Sequence, residues 1–118
     1  ITRLSLIRAK FVENLAPLFG LAQQGEQLFL MGLFSVLDLI LEQPMEEALK
    51  RVKVSKEIGD ALISHKGVFA PILEFVLDYE CADWQEVSRL MILNNIDMNP
   101  VYEAYVRALG WYRDLFSE

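Results

Sequence analysis

Apolar residues recur along this chain at steps of three and four, the spacing of one face of an α-helix. The strongest such signal is the stretch from Leu28 to Met45, read LFLMGLFSVLDLILEQPM. Its first fourteen residues include only three that are not strongly apolar: Gly32, Ser35 and Asp38. A strand would be shorter, and a bilayer span takes roughly 20 apolar residues. The pattern therefore predicts a central core helix, covered by protein on most sides.

The same spacing predicts further helices before and after this stretch. Ser55, Asp83 and Asn99 have the residue types and positions of N-caps, and Pro100 would occupy the first helical position after Asn99. We expect these helices over residues 2–16, 44–51, 56–64, 68–80, 84–93 and 100–116. With short connections and no internal repeat, the predicted fold class is all-α, a compact bundle of six or seven helices in a single domain over residues 1–118.

Composition narrows the functional classes. The 118 residues are 53% hydrophobic, enough for a real core, and carry a net charge of −6. That charge disfavours binding to nucleic acid, and no signal peptide or membrane span is visible. Cys81 is the only cysteine, which excludes an internal disulfide and fits a reducing cytoplasm. Since the chain opens at Ile1 within a helical pattern, we interpret it as a fragment of a longer protein.

Candidate catalytic residues are scarce. His65 is the only histidine and lies near a predicted helix C-terminus, where we expect a surface cap. Cys81 has no neighbouring base and is expected to be half-buried and structural. Adjacent carboxylates such as Glu46 and Glu47 face different directions on a helix and form no acid/base pair. The residues predict no catalytic, cofactor-binding or metal-binding site.

Arg8 and Asp38 are charged residues within otherwise apolar helical patterns. Arg8 lies on the flank of an apolar helix face, so either its stem packs while its guanidinium reaches water, or it pairs with Asp38 or Glu42. Asp38 in turn either faces water or pairs with Arg8 or a C-terminal arginine.

Aromatic residues cluster near the C-terminus, and on an acidic chain we expect core or partner-helix contacts there rather than base stacking: Tyr102, Tyr105, Trp111, Tyr112 and Phe116.

Three local motifs, in a fixed order, carry a family resemblance. They are GLFSVLD at Gly32–Asp38 followed by PMEE, VSKEI followed by ALI at Val54–Ile63, and YE followed by DW at Tyr79–Trp84. Their combination resembles the C-terminal half of HDOD domains, in particular the shortened version behind EAL domains in bacterial two-domain signalling proteins. The resemblance implies that this chain is the C-terminal portion of an HDOD domain.

HDOD domains are relatives of HD phosphohydrolases, which hold metal through a histidine and a His-Asp dyad. Laying Gly32 on the start of that pattern places Ser35 at the histidine position and Val36 at the aspartate position. A hydroxyl and an isopropyl group cannot replace imidazole and carboxylate as metal ligands. The resemblance thus implies a non-catalytic signalling or output module, without cofactor, in a bacterial cytoplasmic protein whose full-length form carries an EAL domain for cyclic di-GMP hydrolysis or binding.

The expected partners are the upstream domain of the same protein and a second copy in a homodimer, with no nucleic acid and no membrane span. Two other functions stay open. One is a divergent metal-dependent phosphohydrolase remnant that still acts on nucleotides. The other is a helical adaptor unrelated to HDOD domains, with an aromatic face that docks a partner helix.

Overall fold

The chain folds as an all-helical domain. The computed structural model describes residues 2–116, and no strand occurs in that range. Short 3-10 turns at Ala16–Phe19 and Leu49–Arg51 extend the first and fourth helices, and a π-helical turn at Asp60–Ser64 extends the fifth. The predicted compact all-α class is confirmed. In chain order the α-helices are α1 Thr2–Leu15, α2 Gly25–Phe34, α3 Leu37–Leu41, α4 Met45–Ala48, α5 Lys56–Gly59, α6 Ala70–Glu80, α7 Trp84–Leu93 and α8 Met98–Leu115.

The long apolar stretch forms two helices rather than the single one expected from Leu28 to Leu41. Helix α2 ends at Phe34, and α3 begins at Leu37. Ser35 lies at the break, and its hydroxyl donates a hydrogen bond to the carbonyl oxygen of Gly32 at 2.6 Å, a local bond that competes with helix continuation. Only the first half of the stretch is central, because Leu39 and Ile40 in α3 are 59% and 53% exposed.

The core forms where α1 crosses α2. At the crossing the two backbones nearly touch: a Cβ atom added to Gly32 would lie 2.6 Å from the Cα atom of Ala9. Helices α6 and α8 also pack against α1. Aromatic and aliphatic side chains from these helices fill the interior, the largest fully buried ones being Phe11, Phe69, Phe75, Leu15, Leu28 and Met31. Helix α1 thus packs against α2, α6 and α8.

Two of the three expected N-caps are confirmed. The Ser55 side chain accepts a hydrogen bond from the Ile58 backbone N–H, and Asp83 accepts one from the Glu86 N–H, both at 3.3 Å. The third expectation is wrong, because α8 begins at Met98 with Asp97 at its N-cap position, two residues before the expected cap at Asn99.

One helical segment of the described residues, Ala22–Leu41, is long and apolar enough to cross a membrane by length and composition. Core helices of globular proteins pass the same test, so the property alone is weak evidence of a span. The segment contains the break at Ser35, and 22% of its most apolar stretch is buried within the domain. The absence of a membrane span stays a prediction.

Candidate functional site

A hydrogen-bonded charge pair lies where α1, α2 and α6 meet. The close approach of Ala9 to Gly32 brings the preceding residue, Arg8, beside Ser35 at the end of α2. Arg8 Nη1 donates to Ser35 Oγ at 2.8 Å, while Arg8 Nε donates to Oε2 of Glu80 at 2.9 Å and Nη2 donates to Oε1. The Arg8 side chain is 10% exposed and that of Glu80 18%. The guanidinium therefore ties three helices together in a nearly dry environment.

This geometry corrects the expected partner of Arg8. Neither Asp38 nor Glu42 pairs with it among the described residues, and its guanidinium does not extend into water. The break at Ser35 accounts for the difference, because it puts Asp38 on the separate helix α3 instead of on a continuation of α2. Glu80 lies 72 residues away along the chain, and no spacing rule links two such positions.

The resemblance aligns Ser35 and Val36 with a His-Asp dyad. In the structure both side chains take part in the packing of the fold. The Ser35 hydroxyl accepts from Arg8 and donates to the Gly32 carbonyl, and Val36 is fully buried. Between residues 2 and 116, no group of three His, Cys, Asp or Glu side chains could hold a metal ion. The donor set at this point offers one hydroxyl, which is already engaged on both sides.

A groove runs beside this cluster, between α3 and α4 on one side and the π-helical turn and α6 on the other. One part has a volume of about 290 Å³ and the other about 340 Å³. His65, Leu73 and Leu77 line both parts, so we treat them as one feature, the acidic groove. The remaining wall residues are Ser35, Asp38, Met45, Leu62 and Ile63 in the first part, and Ala61, Ala70, Glu74 and Asp78 in the second.

Carboxylates in and around the second part of the groove repel one another. Burial raises the pKa of Asp78 above its ordinary value, and the charges of Glu74, Asp83 and Glu86 raise it further, while Arg89 opposes them. The Arg89 guanidinium is held by Glu86 at 2.6 Å and lies 4.0 Å from Glu74. Four carboxylates thus share one guanidinium, and Asp78 Oδ2 is buried without a hydrogen-bond partner in the described part of the chain.

The groove brings Ser35, Asp38 and His65 into one space, a combination that suggests nucleophilic catalysis. No hydrogen bond joins His65 to either of the other two within residues 2–116, and the Ser35 hydroxyl proton is used on the Gly32 carbonyl. His65 is exposed and ends the π-helical turn with φ 56°, which confirms its predicted place at a helix end. The hydrogen bond between nucleophile and base that acyl transfer uses is therefore not formed among these residues.

The C-terminal aromatic residues and the cysteine differ in how far they are buried. Tyr105 packs edge-on against Phe11 with ring centroids 5.1 Å apart, so it belongs to the core. Tyr102 on the same helix is exposed. Cys81 is also exposed, because it follows the end of α6, and the expectation of a half-buried cysteine is wrong.

Sequence comparison places this chain beside a region of two larger bacterial proteins. It is 35% identical over 117 residues to the uncharacterized protein YuxH of Bacillus subtilis, covering 99% of this chain and 28% of that protein. It is 30% identical over 112 residues to the cyclic di-GMP phosphodiesterase CdgJ of Vibrio cholerae, covering 95% of this chain and 26% of CdgJ. No family model and no solved structure matches. The chain therefore spans about a quarter of the length of these two proteins, one of which is a cyclic di-GMP phosphodiesterase.

Proposed function

We propose that this chain is a non-catalytic interaction module of a bacterial cyclic di-GMP signalling protein, and that it corresponds to the C-terminal part of an HDOD domain. The similarity to part of CdgJ supports the signalling context. The order of the motifs around Gly32–Asp38 supports the HDOD assignment. The module acts in the cytoplasm, behind an EAL domain of the same protein, and does not itself hydrolyse cyclic di-GMP.

The observation that carries the contact role is the apolar surface left uncovered by the fold. Ile92 at the end of α7 is 80% exposed, and Leu93 and Tyr102 are also exposed nearby along the chain. Leu39 and Ile40 form a second exposed apolar pair on α3. Exposed apolar side chains of this number on a small domain support a role in protein contact. The expected partners are the upstream region of the same protein and a second copy of the chain.

The non-catalytic role is supported by the occupied hydroxyl of Ser35 and the buried side chain of Val36. A phosphohydrolase remnant would need metal ligands that these two positions do not supply. An unrelated helical adaptor would share the exposed surface but would not account for the similarity to CdgJ.

Two measurements test the proposal together. The isolated chain is assayed with bis(p-nitrophenyl) phosphate and with cyclic di-GMP in the presence of Mn²⁺, Mg²⁺ or Zn²⁺, and we expect no turnover above buffer. Its binding to the separately expressed upstream region of the full-length protein is then measured by calorimetry. Metal-dependent turnover would overturn the non-catalytic role. Failure to bind the upstream region, together with a strict monomer in light scattering across a dilution series, would overturn the contact role.

A further inference from the structure

Charge is unevenly distributed over this acidic chain. Four of its eleven basic residues fall within the seven-residue segment KRVKVSK, residues 50–56, which we name the basic segment. Its Val52 and Val54 side chains pack against the core, and its basic side chains are exposed. Lys50 forms an exposed pair with Glu47, and Lys56 lies 3.8 Å from Asp60, whereas Arg51 and Lys53 have no carboxylate partner among the described residues.

The acidic groove has the opposite character. Asp38 lines its first part without an ion-pair partner in the described structure, and Glu74 and Asp78 line the second. Leu73 and Leu77 form an apolar surface between the carboxylates at the two ends. Such a groove fits long basic side chains, whose methylene stems cover apolar surface while their charged heads reach carboxylates. No ion pair joins the groove to the basic segment of the same chain within residues 2–116.

We propose that the acidic groove receives the basic segment of a second copy of this chain, through Arg51 and Lys53. The two surfaces are neighbours on one protomer, because α4 and the turn after it lead from the groove wall at Met45 directly into the basic segment. A two-fold axis between them makes both contacts at once, each segment entering the other copy's groove, as a closed symmetric dimer requires. This inference rests on the proposed contact role and adds a charged surface to the exposed apolar ones that support it.

The energetics favour this occupant over an uncharged one. The carboxylates around Asp78 lie at i, i+4 and across the α6–α7 connection and share only Arg89, so the isolated domain carries repulsion that a further cation reduces. A segment with two unpaired basic residues separated by one valine supplies that charge without burying any new unpaired group. Local complementarity of this kind sets register and orientation even where the net charge of −6 on each copy opposes association.

Charge reversal tests the proposal directly. The groove variant is Asp38→Lys with Glu74→Lys, and the segment variant is Arg51→Glu with Lys53→Glu. Light scattering and sedimentation across a dilution series should show a dimer for the wild-type chain and at least about a tenfold weaker dimer for each variant alone. Mixing the two variants should restore association, because the reversed groove of one then faces the reversed segment of the other. Far-UV circular dichroism and thermal melts show whether each variant is folded.

A matched control separates the effect of where the charge is reversed from the effect of changing the net charge. Glu26→Lys with Glu103→Lys changes the net charge as much as the groove variant does, at exposed positions on α2 and α8. It should reduce self-repulsion and leave the dimer intact. Should a reversed variant fail to fold, the neutral versions Asp38→Asn with Glu74→Gln, or Arg51→Gln with Lys53→Gln, replace it, and each should weaken the dimer.

Three results would overturn the inference. A wild-type chain that stays monomeric at every concentration leaves no second copy in the groove, and the contact role is then judged by binding to the upstream region. A dimer that survives both reversals supports the contact role but places the interface elsewhere. Variants that lose association but do not recover it on mixing show that the two surfaces do not face each other.

Discussion

Two groups of charged residues in this molecule differ in burial and in pairing. At the meeting of α1, α2 and α6, Arg8 is buried and Glu80 is largely buried, and every guanidinium nitrogen of Arg8 has an acceptor. A few residues along α6, Glu74 and Asp78 lie beside other carboxylates with only Arg89 to offset them. The first region, which we call the closed region, lies between three helices and holds them together. In the second, the open region, the negative charges are only partly offset. The difference separates charges that stabilise the fold from charges to which we assign a binding role only by proposal.

The largest effect is expected from removing the Arg8–Glu80 pair of the closed region. Arg8→Met should lower the free energy of unfolding by about 3 kcal/mol, because it leaves Glu80 buried without its partner. Urea denaturation measures the change. Arg8→Met combined with Glu80→Leu should recover most of the loss, since no charge is then left unpaired. As a control, Lys50→Met removes the exposed pair with Glu47 and should cost less than about 0.5 kcal/mol. Equal costs for Arg8 and Lys50 would contradict the contrast.

The second prediction concerns the helix crossing that positions Arg8. Gly32→Ala places a methyl group against the backbone of Ala9, so α1 and α2 must separate, at a cost of about 2 kcal/mol. Gly59→Ala is the matched control, because a Cβ at Gly59 meets nothing within 4 Å and should stabilise its helix by up to about 1 kcal/mol. Thermal melts of both variants provide the measurement, and a neutral Gly32→Ala would disprove the close crossing.

The third prediction tests the hydrogen bond between Arg8 and Ser35 within the first region. Ser35→Ala removes the acceptor of Arg8 Nη1 and should lower stability by about 1.5 kcal/mol, the value of a hydrogen bond to a charged group. In the background of Arg8→Met the same change should cost much less, because the donor is already absent. A double-mutant cycle by urea denaturation gives the coupling. Additive losses would show that the Arg8–Ser35 bond contributes little.

The smallest expected effect has the opposite sign and lies in the open region. Because the pKa of Asp78 is raised above its ordinary value of 3.8, the folded chain binds this proton more tightly than the unfolded chain. The free energy of unfolding therefore falls as the pH rises through the window above 3.8. Asp78→Asn removes this penalty and should stabilise the chain at pH 7 by about 0.5 kcal/mol, the value of a like-charge i, i+4 pair.

Urea denaturation at pH 7 and at about pH 3.5 checks the sign, because the advantage of Asp78→Asn should shrink where Asp78 is mostly protonated in both states. Glu103→Gln on α8 serves as the control and should change stability by no more than a few tenths of a kcal/mol. A destabilised Asp78→Asn at pH 7 would mean that this carboxylate has a stabilising partner in the fold.

Local patterns predicted the helices well because helix periodicity and caps depend on residues three or four apart. Ser55 and Asp83 show this, since both cap the helices that their sequence context indicated. The failure at Ser35 has a physical reason: a hydroxyl within an apolar run can bond the preceding turn, and hydrophobicity alone does not reveal whether it will. Asn99 was a weaker signal, since Asp97 two residues earlier is an equally good N-cap type.

The site was less predictable than the fold. The pairing of Arg8 with Glu80 depends on how α1 packs against α6, and no local spacing encodes a contact across 72 residues. The acidic groove forms only when α3 and α6 approach, although the run of carboxylates at Glu74, Asp78, Asp83 and Glu86 along the chain gave a hint of it. The basic segment is visible in the sequence as KRVKVSK, but its complement is defined only in three dimensions.

The contact of Ala9 with Gly32 also has a mechanical consequence. Where two backbones lie this close without intervening side chains, small rotamer changes cannot accommodate a shift of one helix against the other, so we expect α1 and α2 to move as one unit. A rearrangement of α3 and α4, which carry one wall of the groove beyond the break at Ser35, would leave this unit intact.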